Sequence, residues 1–354
     1  MSIILDQSLS LNDALALAHD HHMVARYTEA MTIYQAIIEQ VPDCAPAQTN
    51  FGALLLLHGD FTNGWPAFEW RRHGQPGQLP TWNGAALNGQ RVLIRGEQGA
   101  GDNIQFLRYA ALIRERNGVP VILSPPGMKR LLSGLAGDPE ILEPGDQASE
   151  LACEIAVLSL PALAGTTVET IPSVVPYLHA DPGSTARWAK KLSAYEGLKI
   201  GLCWQGNPDK PRDHLRSIPL NAFASLMAAP GCHWFGLQVG PGEDQTETMD
   251  PALPFTHLGT ALGESQDRFV DAAAVIDNLD LVISIDTAIA HLAGALGGPV
   301  WILLPHVPDW RWMLGRDDSP WYPSARLFRQ DRKENWSSVL DQAAAALGEL
   351  NGPA

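Results

Sequence analysis

Two successive runs of alternating strand and helix signals, with a self-similar helical stretch ahead of them, predict an α/β protein. The expected architecture is a pair of Rossmann-like lobes facing a cleft, preceded by an N-terminal α-helical unit. The apolar runs are short and bounded by glycine and proline, as strands of a parallel sheet require. A chain of 354 residues is long enough for two or three domains with cores of their own.

The helical unit is assigned to residues 1–73. Ala18, Tyr34 and Pro42 recur as Gly52, Phe68 and Pro76, each pair 34 positions apart. Ala30, Tyr34 and Ile37 share one helical face, and Pro42 stops that helix. Period and residue types resemble the tetratricopeptide repeat, in which small residues let paired helices approach and an aromatic fills the gap between pairs. Two such units at most precede Arg72, fewer than the roughly three an independent solenoid needs. The segment is therefore expected to pack on the rest of the chain, as structural padding or as a platform for a partner.

Residues 74–89, rich in Gly, Pro and Asn, read as a linker. The first lobe (90–180) shows strand Arg91–Arg95, helix Ile104–Arg116, strand Val119–Leu123, helix Met128–Leu135 and strand Glu154–Leu160. Proline-spotted Pro172–Gly183 marks a boundary. The second lobe (181–354) restarts the rhythm with strand Lys199–Trp204, helix Leu220–Ala228, strand His233–Gln238 and helix Asp267–Asn278. Strand Leu281–Ile285, helix Thr287–Leu296 and strand Val300–Leu304 complete it. Ligands of such sheets sit beyond the carboxyl ends of the strands.

Composition narrows the function. A net charge of −15 argues against a nucleic-acid coat or an anionic membrane surface as partner. The opening MSIILDQSLSLN has neither the basic nor the apolar region of a signal peptide, and no apolar stretch is long enough to span a bilayer. Cys44, Cys153, Cys203 and Cys232 are scattered without a CxxC pair and read as reduced thiols. The expectation is a cytoplasmic protein without a transmembrane segment.

Three places can carry chemistry. The first strand ends in Gly96-Glu97-Gln98-Gly99-Ala100-Gly101-Asp102, a turn whose glycines leave room for a ligand. It lacks the GK[ST] of a Walker loop, and its GxxGxG spacing with Ser124 ending the next strand departs from the dinucleotide fingerprint. Asp102 stands where a helix N-cap belongs, the commoner role for such a residue, and can equally serve as a general base. The second place is Asp286-Thr287-Ala288 with His291 one turn on. The backbone N–H groups of Thr287, Ala288 and Ile289 at a helix start form a natural anion site. Its ordinary reading is an Asp or Thr cap beside a satisfied buried histidine. The third is Lys210, Arg212 and Arg216, a cationic patch in an acidic chain, which with the Asp286–His291 turn suits a diphosphate. Trp310, Trp312, Trp321 and Tyr322 read as packing between the lobes, or as an aromatic wall for a sugar or nucleobase.

The stretch LDLVISIDTAIAHLAGALGGPVWILLP resembles the donor-binding segment of glycosyltransferase family 9, the heptosyltransferase-like enzymes. Gly101-Asp102 after the first strand is similar to that family's Gly-Asp. The resemblance runs from about Arg91 to the C-terminus. With the helical repeat and the run from Pro308 to Gln330, it extends to a bacterial subgroup that fuses tetratricopeptide repeats to such a transferase, some of whose members modify proteins such as flagellin. It implies a GT-B-like pair of lobes, first lobe on the acceptor side and second on the donor side. It also implies Asp102 as the base that deprotonates the acceptor hydroxyl. Thr287, Ala288 and His291 would hold the donor phosphates, and Asp286 would contact the donor sugar. Arg216 stands at a family lysine that neutralises the leaving diphosphate, offering the same charge in planar geometry. Glu243, in a loop that differs, stands at a ribose-binding glutamate.

The implied activity is metal-independent, inverting transfer from a nucleotide-sugar donor to a hydroxyl of a protein acceptor such as flagellin, or of a glycan, with no cofactor beyond the nucleotide-sugar co-substrate. No metal site is expected. The rival readings are an epimerase of nucleotide sugars on a similar fold and a degenerate transferase body kept as a binding scaffold.

Overall fold

The computed structural model describes residues 9–75, 77–263 and 268–351 of the chain. Pro76, Asp267 and most of the opening segment, all used above, lie outside the described residues. The chain divides into two compact units.

The smaller unit is helical: α1 (Leu11–Met23), α2 (Tyr27–Gln40), α3 (Ala45–Leu57) and α4 (Phe61–Phe68). α3 begins 34 residues after α1, and α4 begins 34 residues after α2, so two helical hairpins repeat at the spacing of the sequence pattern. Ala18 and Tyr34 are fully buried. At Gly52 a side chain is sterically excluded, since a Cβ there would stand 2.4 Å from the backbone nitrogen of Phe68. α1 is started by Ser10, whose hydroxyl accepts from the Asp13 amide while the Asp13 carboxylate accepts from the Ser10 amide. Residues 161–171 and 306–316 fold with these helices. The Trp65 indole N–H donates to the Thr166 carbonyl oxygen at 2.8 Å, and Trp310 meets the rings of Trp65 and Phe68 edge-on.

The larger unit holds two parallel sheets. The first has the order β3-β2-β1-β4: β1 (Arg91–Arg95), β2 (Val119–Leu123), β3 (Glu140–Leu142) and β4 (Leu151–Ala156). Its helices are α5 (Ala100–Phe106), α6 (Ala111–Glu115) and α7 (Lys129–Leu132); after β4 the short helix α8 (Leu160–Leu163) leads into residues 161–171 of the smaller unit. Thr81 extends the sheet past β4 through a bridge to Glu154. The second sheet has the order β10-β9-β8-β5-β6-β7. Its strands are β5 (Leu198–Cys203), β6 (Cys232–Gly236), β7 (Phe255–His257), β8 (Leu281–Ile285), β9 (Val300–Leu304) and β10 (Ala325–Arg329). Around it lie α9 (Pro182–Leu192), α10 (Asp213–Arg216), α11 (Ala224–Met227), α12 (Gly259–Gly263), α13 (Arg268–Ile276), α14 (Ala288–Ala295) and α15 (Trp336–Asn351). Ile200, Leu202, Trp204, Ile283, Ile285 and Leu303 are among the side chains that form its core. β8 and β9 are buried along their whole length, which is why they read as unbroken apolar runs.

Several expectations are corrected. The first-lobe helix begins at Ala100, not Ile104, and passes through a 3₁₀ stretch at Leu107–Ala110. The last first-lobe strand ends at Ala156, and Val157–Ser159 turn into a 3₁₀ coil. The proline-spotted boundary contains the start of α9. Pro182 sits in the first turn, where a missing N–H costs nothing, and Asp181 caps by accepting from the Ser184 amide at 2.8 Å. β3, β7 and β10 were not anticipated. They are short or only half buried, so period-two patterning has little to show.

Candidate functional site

Both sheets change winding direction beside their first strand, at β1/β4 and at β5/β8. The loops leaving those strand ends lie over a topological switch point, the crevice that open α/β sheets offer to ligands. Each pair of loops is tied by a polar contact. In the first lobe the Leu158 amide donates to Glu97 Oε2 at 3.3 Å. In the second, Arg216 Nη1 donates to the Asp286 carbonyl oxygen at 2.7 Å.

The turn after β1 is drawn tight by its own residues. Gln98 takes a left-handed backbone (φ 56°), and Gly99 stands at the N-cap of α5. Asp102 is the third residue of the helix and not its N-cap. Its Oδ2 accepts from the Gly99 amide at 2.9 Å, the reciprocal half of a capping box. The sequence placed this carboxylate correctly at the helix start but one step wrong in its structural role.

The turn after β8 is built differently. Thr287 is the N-cap of α14 with an extended backbone, yet its hydroxyl makes no capping bond to the helix. It lies 3.0 Å from Ser284 Oγ and 3.6 Å from Cys203 Sγ instead. The cap side chain therefore leaves the first-turn amides of Ala288, Ile289 and Ala290 to other partners, at the positive end of the helix dipole. Helix α14 starts one residue later than expected, which moves the amide set by one. His291 is buried; its Nδ1 is 2.9 Å from the Tyr322 hydroxyl, and its Nε2 is 3.6 Å from Asp286 Oδ1.

The two turns meet. Helices α5 and α14 pack on each other, and a Cβ on Gly101 would stand 2.7 Å from His291 Cδ2, 3.4 Å from its Nε2 and 3.5 Å from the Ala288 Cα. Gly101 is thus a close-approach glycine, and it sets the Asp102 turn against the ring edge of His291.

Arg216 is oriented from below. Buried Asp213 accepts from Arg216 Nε at 3.0 Å and from the Ser217 hydroxyl at 2.8 Å, and Ser217 Oγ in turn accepts from the Gly206 amide. Lys210 and Arg212 occupy exposed positions of the same loop. Of the patch read from sequence, Arg216 is the cation that reaches the Asp286 turn. Glu243 opens a 3₁₀ turn beyond β6, where it accepts from the Gly240 amide and lies 3.8 Å from His257 Nε2. Gln238, missed in the sequence, ties that loop to β5. Its Oε1 accepts from Cys203 Sγ and from the amides of Trp204 and Gln205, while its Nε2 donates to the carbonyls of Gln205 and Pro241. Burial pushes the Cys203 thiol up from its ordinary value, so it remains a protonated donor.

The aromatic run is divided. Trp310 packs within the helical unit, whereas Trp321 meets Phe106 edge-on, in line with a packing role between the lobes. Arg108, also missed, is buried there. It donates to the carbonyls of Pro172 and Trp321 and to the Tyr177 hydroxyl, with its guanidinium over the rings of Tyr177 and Tyr322. Burial works against its charge, but Tyr177 and Tyr322 hold the pKa above the ordinary value. Among the described residues no three His, Cys, Asp or Glu side chains cluster as metal ligands, and no helix is long and apolar enough to cross a membrane.

No family model matches the chain. It is 27% identical over 344 residues to protein FlbA of Caulobacter vibrioides, an alignment covering 87% of this chain and 56% of FlbA. The chain thus spans little more than half of that relative's length. Its fold is similar to that of the ADP-heptose LPS heptosyltransferase II of E. coli, with a TM-score of 0.52 at 16% identity over 74% of this chain and 100% of the other. The glycosyl transferase family 9 protein of Veillonella parvula is similar at a TM-score of 0.49 and 12% identity, covering 76% of this chain and 91% of that one. The molecule has a heptosyltransferase-like GT-B fold, two parallel-sheet lobes with a helical N-terminal region.

Proposed function

We propose that the chain is an inverting, metal-independent glycosyltransferase that moves a sugar from a nucleotide-sugar donor to an acceptor hydroxyl. The observation that carries this reading is the junction at Gly101. There the only carboxylate of the first-lobe turn's helix, Asp102, stands beside a helix N-terminus flanked by His291 and Arg216. A fold shared with a protein described as an ADP-heptose heptosyltransferase supports a nucleotide sugar as donor.

The chemistry assigns work to both turns. Thr287, Ala288 and His291 bind the donor phosphates, and Arg216 neutralises the charge that gathers on the leaving diphosphate, as preorganised donors do in transition states. Asp286 contacts the donor sugar and Glu243 the ribose. Asp102 accepts the acceptor proton as the hydroxyl oxygen forms its bond to the anomeric carbon. The carbon–phosphate oxygen bond breaks on the opposite face, which inverts the configuration. The acceptor is a protein or a glycan, and the helical unit, read as tetratricopeptide-like, suits the docking of a protein. The test is calorimetry with a panel of nucleoside diphosphates, followed by transfer assays with the donors of the nucleotide that binds. A chain that binds no nucleoside diphosphate and hydrolyses no nucleotide sugar does not have this function.

A further inference from the structure

Gln205 follows β5 at the switch point of the second sheet and is held by backbone and side chain alike. The Gln238 amide clamps its backbone: Oε1 accepts from the Gln205 N–H at 3.1 Å, and Nε2 donates to the Gln205 carbonyl oxygen at 3.0 Å. Its side-chain oxygen is taken by Gln245, whose Nε2 donates to Gln205 Oε1 at 2.7 Å. What such a fixed amide offers a ligand depends on which way its oxygen and nitrogen lie.

A chain of hydrogen bonds decides that, and it starts at a backbone amide, which can only donate. The Leu220 N–H donates to the Gln245 side chain at 2.8 Å, so the atom it meets is the carbonyl oxygen. The other end of the Gln245 amide is then its NH2 group, and the atom which that group meets on Gln205 has to be an oxygen. A turned Gln205 would set two NH2 groups 2.7 Å apart with no acceptor between them. The free end of Gln205 is therefore its NH2 group. The side chain is half-buried, and its nitrogen has no acceptor among the described residues and is not sealed from solvent.

Gln205 stands between two parts of the candidate site. Gly206, the next residue, lies against Arg216, and a Cβ there would come within 2.6 Å of Nη2. The head of Gln205 instead lies against the turn that carries Glu243, since a Cβ on Gly242 would stand 2.6 Å from Gln205 Oε1. We infer that Gln205 is a nucleotide-binding residue that donates from Nε2 to an acceptor atom of the nucleoside, and that Gln245 is a positioning residue that keeps the nitrogen free for it. The inference rests on the reading of this lobe as the nucleotide-sugar site. With its oxygen engaged, the group Gln205 offers is a donor, suited to a ring nitrogen, a base carbonyl or a ribose oxygen. A donor fixed before binding loses little freedom when the ligand arrives.

The experiment is calorimetry of the full-length protein with ADP, GDP, CDP and UDP, and with inorganic pyrophosphate, which has the phosphates and lacks the nucleoside. Gln205→Met keeps the length of the side chain and removes the NH2 group. Its affinity for the nucleotide that the wild type binds most tightly is expected to fall about tenfold, with pyrophosphate affinity unchanged. Gln245→Met is expected to weaken the nucleotide by a smaller factor on its own and to add nothing in the Gln205→Met background, because its effect runs through Gln205. A merely structural Gln245 would add its full loss in both backgrounds, and that outcome overturns its positioning role. Unchanged nucleotide affinity in folded Gln205→Met overturns the inference. An equal loss for pyrophosphate overturns it too, since the contact would then be to the phosphates. A wild type that binds none of these nucleotides shows that the donor-site reading itself has failed; a wild type that binds one, with Gln205→Met binding it equally well, shows that only the role of Gln205 has.

Discussion

The Asp102 carboxylate accepts from the backbone amide of Gly99, and this bond guides the choice of substitution. In Asp102→Asn the side-chain carbonyl oxygen keeps that bond, so the melting temperature should stay near that of the parent. If Asp102 is the base, the initial rate of transfer should fall roughly 10²–10⁴-fold, the usual contribution of general-base catalysis. A variant that melts and transfers like the parent leaves Asp102 with a structural role only, and Glu97 becomes the next carboxylate to test. On the donor side, Thr287→Ala combined with His291→Ala should weaken nucleotide-sugar binding. Each lost charge-assisted hydrogen bond is worth on the order of 1.5–3 kcal/mol. Unchanged affinity in the folded double variant, by calorimetry, would refute the phosphate-site assignment.

At the scale of elements, the decisive contact is that of α5 with α14, and Gly101 permits it. Gly101→Ala should push the His291 ring away, because the new Cβ would sit 2.7 Å from His291 Cδ2 in a packed environment. Overpacking of this kind costs about 1–3 kcal/mol. The expected outcome is a lowered melting temperature together with weaker ADP binding. Loss of stability with full ADP affinity would mean that the helix contact supports the fold without shaping the donor site.

For the whole molecule, the helical unit and the two-lobed unit are linked by more than one crossing of the chain, since residues 161–171 and 306–316 belong to the helices. Removing residues before Trp82 would strip Trp310 of Trp65 and Phe68. Truncation is therefore expected to expose apolar surface and shift the protein to aggregates in size-exclusion chromatography. A monodisperse truncated protein with full transfer to a protein acceptor would show that neither packing nor docking depends on the unit. The proposed metal independence is tested with a chelator: transfer should persist in EDTA, and loss of turnover restored by magnesium or manganese would refute it.

Local physics determined much of this in the sequence. β8 and β9 appear at their observed bounds because fully buried parallel strands are continuous apolar runs, and β1 and β2 because their apolar centres are buried between less buried ends. The 34-residue helical spacing was legible because small and aromatic residues recur with it. The glycine-rich turn and the Asp-Thr-Ala turn could be located because each follows such a strand directly. Tertiary structure decided the rest. Arg108, Tyr177, Gln238 and Tyr322 gain their roles from partners up to 213 positions away, which no local period records. Whether Asp102 caps or reciprocates a cap depended on where the first turn closed, a matter of Gly99 backbone geometry. The meeting of Gly101 with His291 depends on two helices from separate sheets approaching without a Cβ between them. Residue types made that approach possible; only the packing of the two sheets could bring it about.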